Sequence, residues 1–354
     1  MPYVIIDTNT LMADYLLIEA NMQTFLRGCQ RCHITVCFPE IVIDELIGNY
    51  KKDITRLIKE YDSASRKLKR MGVDATTTDL NIEKETEDFR IHIHQMIEHH
   101  GVKLISYPSI SSKALVEASY SGRKPFKDSG DGFKDFLVFE SLRTVAAKQS
   151  DEGWFITANS KDFCDASGQL HPDLQSVLRE KVAVFRNVHE FNAAVVSPNL
   201  EVLEDITSRI RGGQFKGFDL DRALTDLFIK ELCDKYHSLA TTGTPLDEPT
   251  VVSVGAPKTN ELTVSRLEKD ELLFELSGEI ELELSGFIQK SDYYAMSESE
   301  SEEISVDDGD WNDHVILAST TRDFKFSMTV IFDEAENQPD SVSIEIEPVE
   351  DEFG

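Results

Sequence analysis

Five short apolar runs, each giving way to polar, helix-starting residues, limit what the first half of this chain can become. They lie at 4–6, 34–38, 102–106, 154–157 and 182–185. Short β-branched and aromatic runs without alternation read as strands buried on both faces. Between them helices are expected at 10–28, 39–48, 50–71, 80–100, 112–120, 136–148, 172–180 and 188–194. Strand and helix in alternation imply a Rossmann-like parallel α/β sheet with helices on both faces. The C-terminal edge of such a sheet is where ligands bind.

The first run stops at Asp7, followed by Thr8, Asn9 and Thr10, a dense set of helix-cap residues. Taken alone, Asp7 reads as a helix cap rather than a functional acid. Other acids arrive at the same edge, however. Glu45 lies about one and a half turns into a helix that Pro39 opens. Asp131 and Asp135 are four apart across a helix start, so both can face one point, or can simply complement the helix dipole. The fourth run exits through Thr157, Asn159 and Asp162. These motifs hold little compensating Lys or Arg, and packed carboxylates need a cation. All-oxygen donors select Mg²⁺ or Mn²⁺, the setting for metal-assisted phosphodiester hydrolysis.

An apolar strand ending in Asp-Thr-Asn, a Pro-Glu-x-x-x-x-Glu-Leu helix, a helix opening on Asp, and Ile-Thr-x-Asn-x-x-Asp-Phe follow in that order over residues 1–195. This set resembles a PIN domain, and most closely the PIN-like group in which Gly-Phe-Lys-Asp opens the third acidic helix, here Gly132 to Asp135. The resemblance implies that Asp7 is the central metal ligand, with Glu45 and Asp135 beside it. Asp162 would be the fourth acid, direct or through water. Thr8 and Asn9 would orient Asp7 and the attacking water, with Thr157 and Asn159 as further supporting residues. Asn159 stands where such domains usually carry Asp, which removes one charge and puts a second metal in doubt; Asp131 could compensate. The implied activity is a metal-dependent endoribonuclease acting on single-stranded RNA. A DNA or flap nuclease with the same site, and a non-catalytic RNA-binding scaffold, are the alternatives. A dehalogenase-type phosphate enzyme is disfavoured, because it needs an acid where Asn9 stands.

The length of 354 residues suggests two domains, and the charge is split unevenly between them. Of 36 Lys and Arg and 65 Asp and Glu, residues 1–197 hold 24 and 28, a net of −4. The remainder holds 12 and 37, a net of −25. The first half therefore tolerates a nucleic acid, with Lys51, Lys52, Arg123, Lys124, Lys127 and Lys134 as candidate contacts, whereas the second half repels one. The expected domains are 1–197 for the nuclease, 198–249 for a helical connector and linker, and 250–354 for an acidic all-β sandwich or barrel with alternating strands. A turn at 310–314 should pack Trp311 on that sheet. The acidic domain could mediate homo-oligomer assembly or sense a regulatory protein, and by architectural analogy the whole could be a toxin or a bacterial defence effector.

Two strings carry less than they suggest. Cys29-Gln-Arg-Cys32-His33 matches a haem-attachment string, but nothing else supports haem chemistry, and the five scattered cysteines read as reduced thiols. His92, His94, His99 and His100 read as a polar helix face rather than a zinc site. No apolar run approaches a membrane span, and no basic leader precedes the first strand, so a cytoplasmic protein is expected.

Overall fold

A computed structural model of the chain describes residues 1–127, 132–148, 152–178, 182–215, 219–233, 244–297, 301 and 303–349. It divides into two units, Met1–Leu200 and Glu201–Gly354. Among the described residues no helix is long and apolar enough to cross a membrane.

In the first unit, β1 (Tyr3–Ile6) leads into a single-turn helix α1 (Thr8–Leu11) and then α2 (Ala20–Arg31), β2 (Thr35–Pro39) and α3 (Glu40–Arg70). Next come α4 (Ile82–His99), β3 (Lys103–Ile105), α5 (Ser112–Tyr120) and α6 (Phe133–Ala146). The unit ends with β4 (Gly153–Ile156), α7 (Ser160–Phe163), α8 (Pro172–Gln175), β5 (Val182–Phe185) and α9 (Val188–Phe191). The five strands are all parallel, in the order β3-β2-β1-β4-β5. Tyr3 to Ile6 are buried completely, as a strand covered on both faces requires. From β1 the chain first builds outward through β2 and β3, then crosses to β4 on the other side. The switch point therefore lies between β1 and β4, where an open α/β sheet leaves its ligand crevice.

Two expectations about helices differ from the structure. The stretch 10–28 is not one helix, because the chain breaks after α1 through a 3₁₀ turn at Met12–Asp14. The buried Asp14 carboxylate accepts the Glu19 amide at 2.8 Å there, and Leu17 takes φ 57°. Conversely, 39–48 and 50–71 are one 31-residue helix, α3, running straight through Gly48. A mid-helix glycine costs only about 1 kcal/mol relative to Ala. The apolar face packed under α3 outweighs that, with Val42, Ile43, Leu46 and Ile47 buried.

The second unit begins with β6 (Glu201–Val202), α10 (Glu204–Arg211) and α11 (Leu220–Leu232). It continues through β7 (Asp247–Val254), β8 (Lys258–Glu268), β9 (Glu271–Gln289), α12 (Lys290–Tyr293), β10 (Ser305–Asp308), β11 (Val315–Asp333) and β12 (Gln338–Pro348). All its strands join one antiparallel sheet, rather than the two of a sandwich. Its spine is β9 against β11, paired over their full 19 residues. Alternate positions on one face supply the core: Leu272, Phe274, Leu276, Ile280, Leu282 and Leu284 on β9, with Phe324, Phe326, Met328, Val330 and Phe332 on β11. Gly278 interrupts the β9 row because a Cβ there would stand 2.1 Å from the Lys258 carbonyl and 2.9 Å from the Phe326 ring.

The connector expected at 198–249 is corrected by that core. Ile210, Leu224, Phe228 and Leu232 of α10 and α11 belong to it, with Phe228 edge-on to Phe326 at 5.0 Å. Residues 241–243 of the expected linker lie outside the described residues, and 247–249 already belong to β7. Amphipathic helices look alike in sequence whether they bridge domains or cover a sheet, so the boundary was not readable from periodicity. Trp311 is about half exposed and reaches the sheet through Phe287, ring centroids 5.5 Å apart.

Candidate active site

Asp7 is the residue immediately beyond β1, and Thr157 is its counterpart beyond β4. The Asp7 amide continues the β1–β4 ladder by donating to the Ile156 carbonyl at 2.9 Å. The two side chains thus meet at the switch point. Thr157 Oγ1 donates to Asp7 Oδ2 at 2.8 Å, and the Thr8 amide donates to Oδ1 at 2.8 Å. Asp7 therefore does cap α1, and each of its oxygens, with one bond accepted, keeps a further lone pair. It is 4% exposed, and no Lys or Arg pairs with it among the described residues. Burial drives its carboxyl up to about 6; the bonds from Thr157 and Thr8 oppose that rise, and the charges of Asp135 and Glu45 add to it.

The other acids come from separate elements. Glu45, in the second turn of α3, accepts the Thr8 hydroxyl at 3.0 Å on Oε2 and the Lys134 ammonium on Oε1. Asp135 and Asp162 are bridged by one amide, Asn159 Nδ2, at 3.1 and 3.0 Å. Burial raises the Asp135 carboxyl, Asp162 raises it further, and Asn159 and Lys127 pull it down, with a smaller upward push from Glu45. Asp162, almost wholly buried, forms an ion pair with Lys127 at 3.1 Å. The four acids thus share one electrostatic neighbourhood at the carboxyl edge of the sheet. Asp131 lies outside the described residues.

The start of α6 is fixed by Gly132, whose φ of 121° suits glycine. A Cβ there would also stand 2.8 Å from the Pro125 carbonyl, so the 121–127 loop lies directly against the helix start. Phe126 is buried between Phe133 and Phe136 and anchors the loop, which brings Lys127 to Asp162.

Several assigned roles change in detail. Thr8 orients Glu45 through its hydroxyl and Asp7 only through its amide. Asn9 is exposed and makes no bond to Asp7. Asn159 links two acids instead of serving only as a weakened ligand. The expectation of little compensating positive charge is corrected: Lys127 and Lys134, assigned to nucleic acid, lie on Asp162 and Glu45. Lys51 pairs with Glu83 on the outside of the α3–α4 hairpin, and Lys124 donates to the Lys161 carbonyl. Lys52 and Arg123 are exposed. Tyr107 was missed, although it lies two residues beyond β3 at the same edge. Its hydroxyl donates to Asp44 at 2.7 Å, its amide donates to Glu40, and its phenol is pushed up to about 12, by burial first and then by Asp44.

Four carboxylates, of which the buried Asp7 has no cationic partner among the described residues, fit a hard divalent cation by donor chemistry. As the side chains stand, no three acidic, His or Cys groups enclose a common point among the described residues. Glu45 is turned onto Lys134, and Asp162 onto Lys127 and Asn159.

Residues 4–163 match the family model of the PIN domain. The match spans Asp7, Glu45, Asp135 and Asp162, and PIN domains are generally nucleases. No curated protein and no solved structure matched the chain. The second unit lies beyond the matched residues.

Proposed function

We propose that the PIN domain of this protein is a metal-dependent endoribonuclease that cuts single-stranded RNA. The observation that carries the reading is Asp7: a buried carboxylate at the switch point, held on both oxygens, with Asp135 of α6 and Glu45 of α3 in its electrostatic reach and Asp162 of α7 acting in turn on Asp135. Retaining buried like charges is costly unless a cation balances them. A bound Mg²⁺ or Mn²⁺ supplies Lewis acidity toward the scissile phosphate and lowers the pKa of the attacking water.

The chain's own residues do the rest. Thr157 and the Thr8 amide fix the Asp7 carboxylate and leave a lone pair on each oxygen for the cation. Thr8 sets the rotamer of Glu45, and Asn159 holds Asp135 and Asp162 side by side. The near-neutral charge of the first half tolerates a polyanion, and Lys52 and Arg123 lie exposed to meet one. Labelled single-stranded RNA, single-stranded DNA and flap substrates, incubated with the intact chain in Mg²⁺, Mn²⁺ or EDTA, test this. Internal cleavage of RNA that EDTA abolishes is expected. Cleavage that survives EDTA sinks the metal mechanism, and preferential cutting of DNA or flaps sinks the substrate assignment.

A further inference from the structure

Two lysines sit where the proposed cation would need the acids. Lys134 Nζ lies on Glu45 and Lys127 Nζ on Asp162 at 3.1 Å. Both lysine side chains are more than half exposed, at 59% and 54%, while their partners are 19% and 6% exposed. The carboxylates are therefore held in place, and the ammoniums reach in from solvent on long stems. With all four acids ionised, two ammoniums leave two negative charges, the charge that one divalent ion balances.

Their backbones are fixed close to the crevice. Lys134 is in the first turn of α6, beside Asp135, and Lys127 follows the buried anchor Phe126. A lysine displaced from its acid at either place keeps its stem at the rim of the site. It then presents a point charge with three donors to whatever anion lies over the acids.

We propose that Lys127 and Lys134 are exchangeable counter-ions: each covers a carboxylate that a divalent cation takes, and each, once displaced, holds a phosphate of the RNA strand. The inference rests on the nuclease reading and adds to it that cation binding and strand binding are coupled through these two side chains. The strand is then gripped tightly only when the cation is in place, because without it both ammoniums are occupied by Glu45 and Asp162.

The test uses the intact chain, as wild type and as Lys127→Met and Lys134→Met. Mn²⁺ affinity is measured by calorimetry. Binding of a short labelled single-stranded RNA is measured by anisotropy, with Ca²⁺ in place of Mn²⁺ to hold back hydrolysis, over a range of salt. Each Met variant should bind Mn²⁺ about twofold to fivefold more tightly, the range in which a partly exposed ion pair competes. Each should bind RNA more weakly, with a log–log salt slope shallower by about 0.7, the share of one phosphate contact on a single strand. Lys→Arg at either position should restore the slope. Unchanged or weaker Mn²⁺ binding in both Met variants overturns the proposal. So does tighter Mn²⁺ binding with unaltered RNA affinity and slope, which would leave the lysines as structural counter-charges alone. If wild type takes up no Mn²⁺, or Asp7→Asn takes up as much as wild type, the nuclease reading itself fails, and the proposal with it.

Discussion

The two units handle acidic residues in opposite ways. In the second, Glu279 and Glu281 point outward from β9 while Ile280, Leu282 and Leu284 fill the core between and beyond them. Those carboxylates stay in water and cost the fold little. In the first unit Asp7 and Asp162 are themselves buried, and Asp7 feels the charges of Asp135 and Glu45. Acid content therefore says little about where chemistry lies. The second half has more acids and a net charge of −25, yet among the described residues the buried acids all lie in the first half. Desolvation, not number, separates a solvated face from a candidate metal centre.

The strongest way to break that contrast is one substitution in each unit. Asp7→Asn keeps the shape of the side chain and removes the charge, so nuclease activity should fall by about a thousandfold or more, since water activation and phosphate polarisation are lost together. Glu281→Gln should leave the rate unchanged. Initial rates on one RNA substrate at saturating Mn²⁺ check both, and comparable losses in the two variants would erase the distinction drawn between the units.

The next effect is on stability and has a definite sign. The Asp7 carboxyl is raised from the ordinary aspartate value of 3.8 to about 6 in the fold, so between those values the folded state binds more protons than the unfolded one. The contribution of this group to metal-free stability is then fully present below about pH 4 and is lost as pH rises through about 6, a change of about 3 kcal/mol. Asp7→Asn lacks that contribution and should be more stable than wild type above pH 6, with the difference vanishing toward pH 4. Denaturant midpoints at a series of pH values in EDTA measure it. A wild type that gains stability across that interval relative to Asp7→Asn would show that the carboxyl is not raised.

Much of the first unit was legible because its strands are short, apolar and punctuated. Tyr3–Ile6, Gly153–Ile156 and Val182–Phe185 lie within a residue of their expected bounds. The placement of the acids was legible for a related reason: Asp7 follows β1, Asp135 and Asp162 lie in the first turns of α6 and α7, and Glu45 lies in the second turn of α3, all elements whose position in a parallel sheet is set by topology. What spacing could not carry is the contact map. Lys127 to Asp162 and Lys134 to Glu45 join residues 35 and 89 apart, and the charge balance of the site depends on them. The fate of α10 and α11 was hidden likewise, since an apolar helix stripe does not name the surface that buries it.

Thr157 gives the smallest and most specific comparison. Its hydroxyl donates to Asp7 Oδ2, and its own oxygen accepts the Asn159 amide at 3.0 Å, so one side chain joins the central acid to the turn that carries Asn159 and Asp162. Thr157→Val preserves the β-branched shape and removes both bonds. With the residue 1% exposed, no water replaces them readily. Misorienting a ligand in this way typically costs about tenfold to a hundredfold in metal affinity or activity. The loss should appear in Mn²⁺ affinity as well as in rate, and Thr157→Ser, which keeps the hydroxyl, should recover most of it. A Val variant with wild-type Mn²⁺ affinity would mean that backbone geometry alone fixes Asp7. In that case the difference between the units would reduce to burial, with no part played by the hydrogen bonds around the acid.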